Sequence, residues 1–225
     1  MIRLVLFDID GTLIHTGGAG LHAFGRTFAS AFRIPHGTER MKFAGRTDSS
    51  LVREFFAMNH VEPSPENFQL FFDCYVHWLD HLLDKLEGDV CPGAREFLYD
   101  LAAQPHPPAL GLLTGNIRLG AELKLRRYDL WGAFATGAFG DDHEDREEIA
   151  RLAMARASRL LGAPLRGDEV LVIGDTPLDV ACARAIGARC LAVATGGATL
   201  AQLEASNPTW VAADLRTVSP TEVCA

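Results

Sequence analysis

Hydrophobic positions in this chain follow two rhythms. Near the N-terminus Ile2, Leu4, Val5, Leu6 and Phe7 form a nearly unbroken apolar run, the mark of a strand covered on both faces, as in a parallel sheet. From Ala19 to Phe32, Leu21, Phe24, Phe28 and Phe32 recur every three or four positions, which predicts an amphipathic helix. A second helix carries Leu51, Val52, Phe55 and Phe56, with Thr47 or Asp48 as its cap. Ser64-Pro65-Glu66 offers the cap, first-turn proline and acid of a helix start. That third helix is expected to run to about Leu86, with Gly88 placed to stop it. No strand is expected from residue 15 to 88.

Beyond Pro92-Gly93 short strands and helices alternate. Helices are expected over residues 94–103, from a cap at Asn116 to about Arg127, from about Asp145 to Leu161, and from Pro177 to Ile186. Strands are expected at Ala109–Leu113, Phe134–Phe139, Val170–Ile173, Cys190–Ala194 and, at an edge, Trp210–Ala213. Strands separated by such helices mean parallel β-α-β units. The fold class is therefore α/β, a doubly wound, Rossmann-like parallel sheet formed by residues 1–14 and 89–225. Residues 15–88 form a small all-helical insert after the first strand.

Composition narrows the partners. The 225 residues carry a net charge of −8, which argues against a nucleic acid or an anionic membrane, since both want a basic face. A small anionic substrate needs only a local positive pocket. No apolar run reaches the length of a membrane span, and Asp8 interrupts the first one too early for a signal peptide. The five cysteines, odd in number and without a C-x-x-C, read as reduced thiols in a cytoplasmic protein.

Candidate chemistry gathers where strands end, because sites in open parallel sheets form at the carboxyl ends. The first strand ends in Asp8-Ile9-Asp10-Gly11-Thr12, the next strong one in Thr114-Gly115-Asn116, and a later one in Gly174-Asp175-Thr176-Pro177-Leu178-Asp179. A fourth loop holds Asp141, Asp142, His143, Glu144, Asp145 and Arg146. Asp8 and Asp10 alternate along an extended chain, so their carboxylates lie on one side and repel unless a cation or proton intervenes. A plain Asp-Gly turn is the blander reading; an EF-hand loop fits poorly because its glycine would fall elsewhere. Plain helix capping also accounts for Thr114 and Asn116. His77 and His81 are spaced i, i+4 without an acidic third ligand and read as exposed helix-face residues.

Taken together these motifs resemble the haloacid dehalogenase superfamily of aspartate-nucleophile phosphatases. Asp8-Ile9-Asp10-Gly11-Thr12-Leu13 matches its first motif, Thr114 its second, and Gly174-Asp175 with Asp179 its fourth, while the insert looks like its first type of helical cap. The third motif departs: its usual lysine is missing from the 140s, and Arg146 looks like the substitute. Arg151 and Arg156, on the same helix, read as solvated charges.

The resemblance implies a phosphatase of small phosphorylated metabolites working through an aspartyl phosphate. Asp8 would be the nucleophile and Asp10 the acid and base. The Asp8 side chain, the Asp10 backbone carbonyl and Asp175 would hold Mg²⁺, with Asp179 orienting a water or Arg146. Thr114 and the amides of Gly115 and Asn116 would hold phosphate oxygens. The cap would choose the substrate, with Arg46 as a candidate for a carboxylate or second phosphate. The aspartate at position 10 speaks against a true dehalogenase, and Lys42 has no setting that suits a Schiff base. Phosphoglycolate is the first substrate expected. A phosphomutase resembling β-phosphoglucomutase is the alternative, and a silent protein-binding fold a lesser one. A monomer or homodimer is expected.

Overall fold

The computed structural model describes residues 1–225. Eight strands run β1 (Leu4–Phe7), β2 (Ile14–His15), β3 (Asp89–Val90), β4 (Ala109–Leu113), β5 (Thr136–Ala138), β6 (Val170–Gly174), β7 (Arg189–Val193) and β8 (Trp210–Ala212). The helices are α1 (Ala19–Phe32), α2 (Asp48–Met58), α3 (Pro65–Leu83), α4 (Ala94–Ala102), α5 (Arg118–Arg127), α6 (Arg146–Leu160), α7 (Pro177–Ala185), α8 (Leu200–Ala205) and α9 (Pro220–Val223).

Six strands form one parallel sheet in the order β5-β4-β1-β6-β7-β8. Every residue of β1 is fully buried because each of its faces meets a separate apolar layer. Val5 and Phe7 join Leu112, Leu171, Ile173 and Leu191 on one side; Leu4 and Leu6 join Val170, Val172, Cys190 and Ala192 on the other. Covering both faces is why the strand reads as an apolar run rather than an alternation. Burying a side chain of this size stabilises the fold by roughly 1.5–3 kcal/mol, which anchors β1 firmly enough to carry charged groups at its end.

The strand order sets where a site can form. From β1 the chain proceeds to β4 and β5 on one flank, then returns to β6 on the other. The crevice beyond the carboxyl ends of β1 and β6 is thus the switch point of the sheet, where ligands of such folds bind.

Between β2 and β3 there are helices and no strand. The two-residue pairing of Ile14 with Val90 and His15 with Asp89 ties the ends of this stretch together. Its helices α1, α2 and α3 share their own apolar cluster, dominated by Phe24, Phe28, Phe55, Phe56, Phe71 and Tyr75. Thr47 caps α2, its hydroxyl accepting from the Ser50 amide, and Ser64 caps α3 in the same way. Helix α3 ends at Leu83 rather than Leu86: the chain turns at Asp84, and Leu86 packs against the cluster from that turn. Gly88 lies just before β3, against the His15 carbonyl, where a side chain would collide.

Strand β5 is shorter than the apolar run from Phe134 to Phe139, and β8 lies at the edge as expected. The cap of α5 is Ile117, not Asn116, whose side chain is engaged elsewhere. No disulfide forms, and four of the five cysteines are buried. No helix is long and apolar enough to cross a membrane.

Candidate active site

Strand β1 ends with Asp8 buried and Asp10 half exposed at its side chain. Gly11 turns the chain sharply at φ +83, a conformation that a side chain disfavours. A Cβ on Gly11 would sit 2.7 Å from Asp175 Oδ2, and one on Gly196 would come still closer, at 1.6 Å. Absent side chains therefore make room for Asp175 beside β1. Thr12 donates to Asp175 Oδ1 at 3.3 Å and the Gly197 amide to Oδ2 at 3.2 Å.

Asp179, on the first turn of α7, is fully buried. One of its oxygens accepts from the Thr176 amide at 3.0 Å and hydroxyl at 2.7 Å; the other accepts from Arg146. The same guanidinium stands 3.8 Å from Asp8 Oδ1. Arg146 is itself buried, and its Nε finds no acceptor within the protein. Two carboxylates hold it charged, raising its pKa despite burial.

Oxygens of Asp8, Asp175 and Asp179 all lie within 4.8 Å of one another. Burial and mutual repulsion push Asp8 up to about 7 and Asp175 up to about 8, from an ordinary 3.8. Arg146 opposes that rise at Asp8 but does not cancel it. Hard oxygen donors packed this closely suit a divalent cation such as Mg²⁺, and the crowding at Asp175 leaves its carboxylate nowhere else to turn. Asp179 has its oxygens committed to the Arg146 guanidinium and the short Thr176 bonds, whereas Asp175 accepts only single bonds at 3.2 and 3.3 Å, so Asp8 and Asp175 are the donors better placed to take an ion.

Strand β4 supplies the next group. Thr114 is buried, its hydroxyl accepting from the Asn116 amide at 3.3 Å and side-chain nitrogen at 2.9 Å. The Gly115 amide has no acceptor within the protein. Asn116 Nδ2 also donates to Asp10 Oδ2 at 2.8 Å, and its Oδ1, the atom that a helix cap would use, accepts from Lys124 instead.

The helical layer closes over these groups. The Asp48 amide donates to the Gly115 carbonyl at 2.7 Å, and the Ile117 amide donates to Asp48 Oδ2 at 2.9 Å. Thr47 donates to the Glu144 carbonyl and Ser49 to that of Gly140. Burial pushes Asp48 up to about 7, with Lys124 opposing. What remains is a cavity of about 450 Å³ lined by Asp8, Asp10, Thr114, Arg146 and Asp175 from the sheet edge and by Arg46, Asp48 and Tyr75 from above. That volume falls in the range of small-molecule sites.

Of the candidate site residues, Asp8, Asp10, Thr114, Gly115, Asn116, Arg146 and Asp175 line this crevice, and Asp179 lies behind it against Arg146. Arg46 lines it, although its guanidinium is paired with Glu54. Two other arginines of α6 lie away from it: Arg151 is exposed beside Glu147 and Glu148, and Arg156 is paired with Asp142. His77, His81, His143 and Lys42 are exposed. Lys124, which lines the cavity, was not anticipated. Its position on α5, between buried Ala121 and Leu125, puts a charge on an inward helix stripe, and that is the signal by which it can be found.

The fold and site define a doubly wound α/β protein with clustered carboxylates at the switch crevice of its parallel sheet. Residues 5–193 match the family model described as haloacid dehalogenase-like hydrolase, and the chain belongs to that family. It is similar to a phosphoglycolate phosphatase of Pseudomonas savastanoi pv. phaseolicola, 28% identical across 97% of this chain and 79% of that protein. Phosphoglycolate phosphatase 1 of Pseudomonas aeruginosa is likewise 28% identical over the same shares. Among solved structures, CbbY from Rhodobacter sphaeroides in complex with phosphate superposes with a TM-score of 0.77 at 20% identity, over 96% of each chain. That likeness supports the shared fold.

Proposed function

We propose that this protein is a Mg²⁺-dependent phosphatase of a small phosphorylated metabolite, acting through an aspartyl phosphate on Asp8. The observation that carries the reading is the buried Arg146, aimed between Asp8 and Asp179 with one N–H still unpaired. A buried guanidinium with a spare donor, next to a carboxylate at a switch crevice, fits a tetrahedral anion.

In this reading a phosphoryl oxygen meets the Arg146 guanidinium where it lines the cavity, while the Thr114 hydroxyl and Gly115 amide hold others. Asp8 attacks phosphorus, and Asp10 gives a proton to the leaving oxygen, then takes one from the water that frees the phosphate. Asp179 keeps Arg146 in place. Asp8, Asp175 and the Asp10 backbone carbonyl are the groups that would hold Mg²⁺, which when bound supplies positive charge to the phosphoryl oxygens. Residues 15–88 act as a cap that closes over the substrate and shields it from water. The names carried by the relatives make phosphoglycolate the first substrate to try, and free, mostly buried thiols suit a cytoplasmic setting.

A panel of phosphorylated metabolites with Asp8→Asn protein as blank tests the reading. Phosphate release above the blank from at least one small monoester is the expected result; none from any member contradicts it. Product analysis with glucose 1-phosphate separates hydrolysis from a mutase.

The raised carboxyls give a second expectation. Asp8 and Asp175 bind protons more readily in the folded chain than in the unfolded one, so metal-free stability falls as pH rises from the ordinary carboxylate range towards their folded values of about 7 and about 8. Mg²⁺ competes with those protons. Its stabilisation, read as a shift in Tm, is expected to be larger near about pH 8 than near about pH 5. An equal shift at both contradicts the assigned ligands.

A further inference from the structure

Lys124 takes no part in the roles described above, yet it is the one lysine that the fold buries. Its stem reaches from α5 to the crevice, and its ammonium donates to Asp10 Oδ2 and to Asn116 Oδ1, each at 2.6 Å. Asn116 Nδ2 donates to the same Asp10 oxygen at 2.8 Å. The three side chains close a triangle. The triangle also settles the Asn116 amide, because its oxygen must face the ammonium and its nitrogen the carboxylate.

An ammonium withdrawn from water is strongly destabilising unless acceptors meet its protons. A helix packed only for stability would carry an apolar residue at this inward position, as it does at Ala121 and Leu125. Asp10 needs such support. It sits on the loop beyond β1 with a side chain 44% exposed, and its Oδ1 takes no hydrogen bond from the protein.

The geometry points to Lys124 as a positioning residue for Asp10: with Asn116 it fixes one oxygen of that carboxylate and leaves the other open to the cavity. A group that passes a proton must stay within hydrogen-bond reach of its target through both halves of the reaction. Two short bonds to one oxygen remove the rotamer freedom that an exposed aspartate otherwise keeps. This inference rests on the phosphatase reading.

A double-mutant cycle tests it, with p-nitrophenyl phosphate as common substrate and Tm recorded for each protein. Lys124→Met is expected to lower kcat roughly tenfold to a hundredfold while KM moves by no more than about threefold. In an Asp10→Asn background the same change is expected to lower kcat by less than about twofold, because the side chain it positions no longer carries a proton. A purely structural lysine would give the full loss in both backgrounds, and that additive result overturns the inference, as does an unchanged kcat in the single variant. Lys124→Gln keeps a donor at the site and serves the same cycle if the methionine variant does not fold. Wild-type protein that releases no phosphate above the Asp8→Asn blank overturns the phosphatase reading together with this inference. Release with additive losses overturns the inference alone.

Discussion

Asp8→Asn is expected to abolish phosphate release, by roughly four orders of magnitude or more, while the protein stays folded. The amide keeps the shape of the carboxylate and can still accept from its surroundings, but it cannot attack phosphorus. Folding should not suffer, because Asp8 is a buried acid repelled by Asp179, Asp10 and Asp175. Removing its charge relieves that repulsion, and Arg146 keeps its closer partner Asp179. Turnover within about tenfold of wild type, in protein of equal Tm, would remove Asp8 from the chemistry.

Arg146→Ala is the second large effect, and it acts on both stability and rate. Asp179 is fully buried, and without Arg146 it keeps only the Thr176 amide and hydroxyl as donors. Stranding one member of a buried pair costs about 3–5 kcal/mol. Loss of a charged donor at the phosphoryl group costs a further factor of about 10²–10³ in kcat. Arg151→Ala on the same helix touches only exposed Glu147 and Glu148 and should change stability by less than about 0.5 kcal/mol and leave the rate alone. Chemical denaturation and kcat on both variants check this. Equal effects would mean that the cation serving Asp8 lies elsewhere.

Much of this was legible in the amino-acid sequence, for physical reasons that differ by element. The sheet strands showed as apolar runs because both faces of β1, β4, β6 and β7 are covered. The Asp8–Asp10, Thr114 and Asp175–Asp179 clusters stood out because polar residues directly after such runs must lie at the sheet edge. β2 and β3 were invisible, since a two-residue strand carries no period. Leu86 misled the end of α3 because an apolar side chain can reach the same cluster from a turn as from a helix. Asn116 has the chemistry of a cap, and only the distance to Asp10 reveals its other use. The contacts of Lys124 and of Asp48, which reads in sequence only as a possible helix cap, were hidden for a shared reason. Each meets its partners more than 60 positions away in sequence, Lys124 at Asp10 and Asp48 at Ile117, and no local pattern announces such a contact.

The geometry also explains why the acids do not drive the crevice apart. Arg146 answers Asp8 and Asp179, Lys124 answers Asp10, and Asp175 accepts from Thr12 and the Gly197 amide. Each positive group sits on a different element from its acid, so the site exists only in the folded chain.

A covalent phosphoryl group on Asp8 is the heart of this account, and the stereochemistry at phosphorus reads it most directly. A thiophosphate monoester carrying two different oxygen isotopes at phosphorus, hydrolysed in water of the third oxygen isotope, should yield chiral thiophosphate with overall retention, because two in-line displacements each invert. Overall inversion would mean that water attacks phosphorus directly and that no aspartyl phosphate forms.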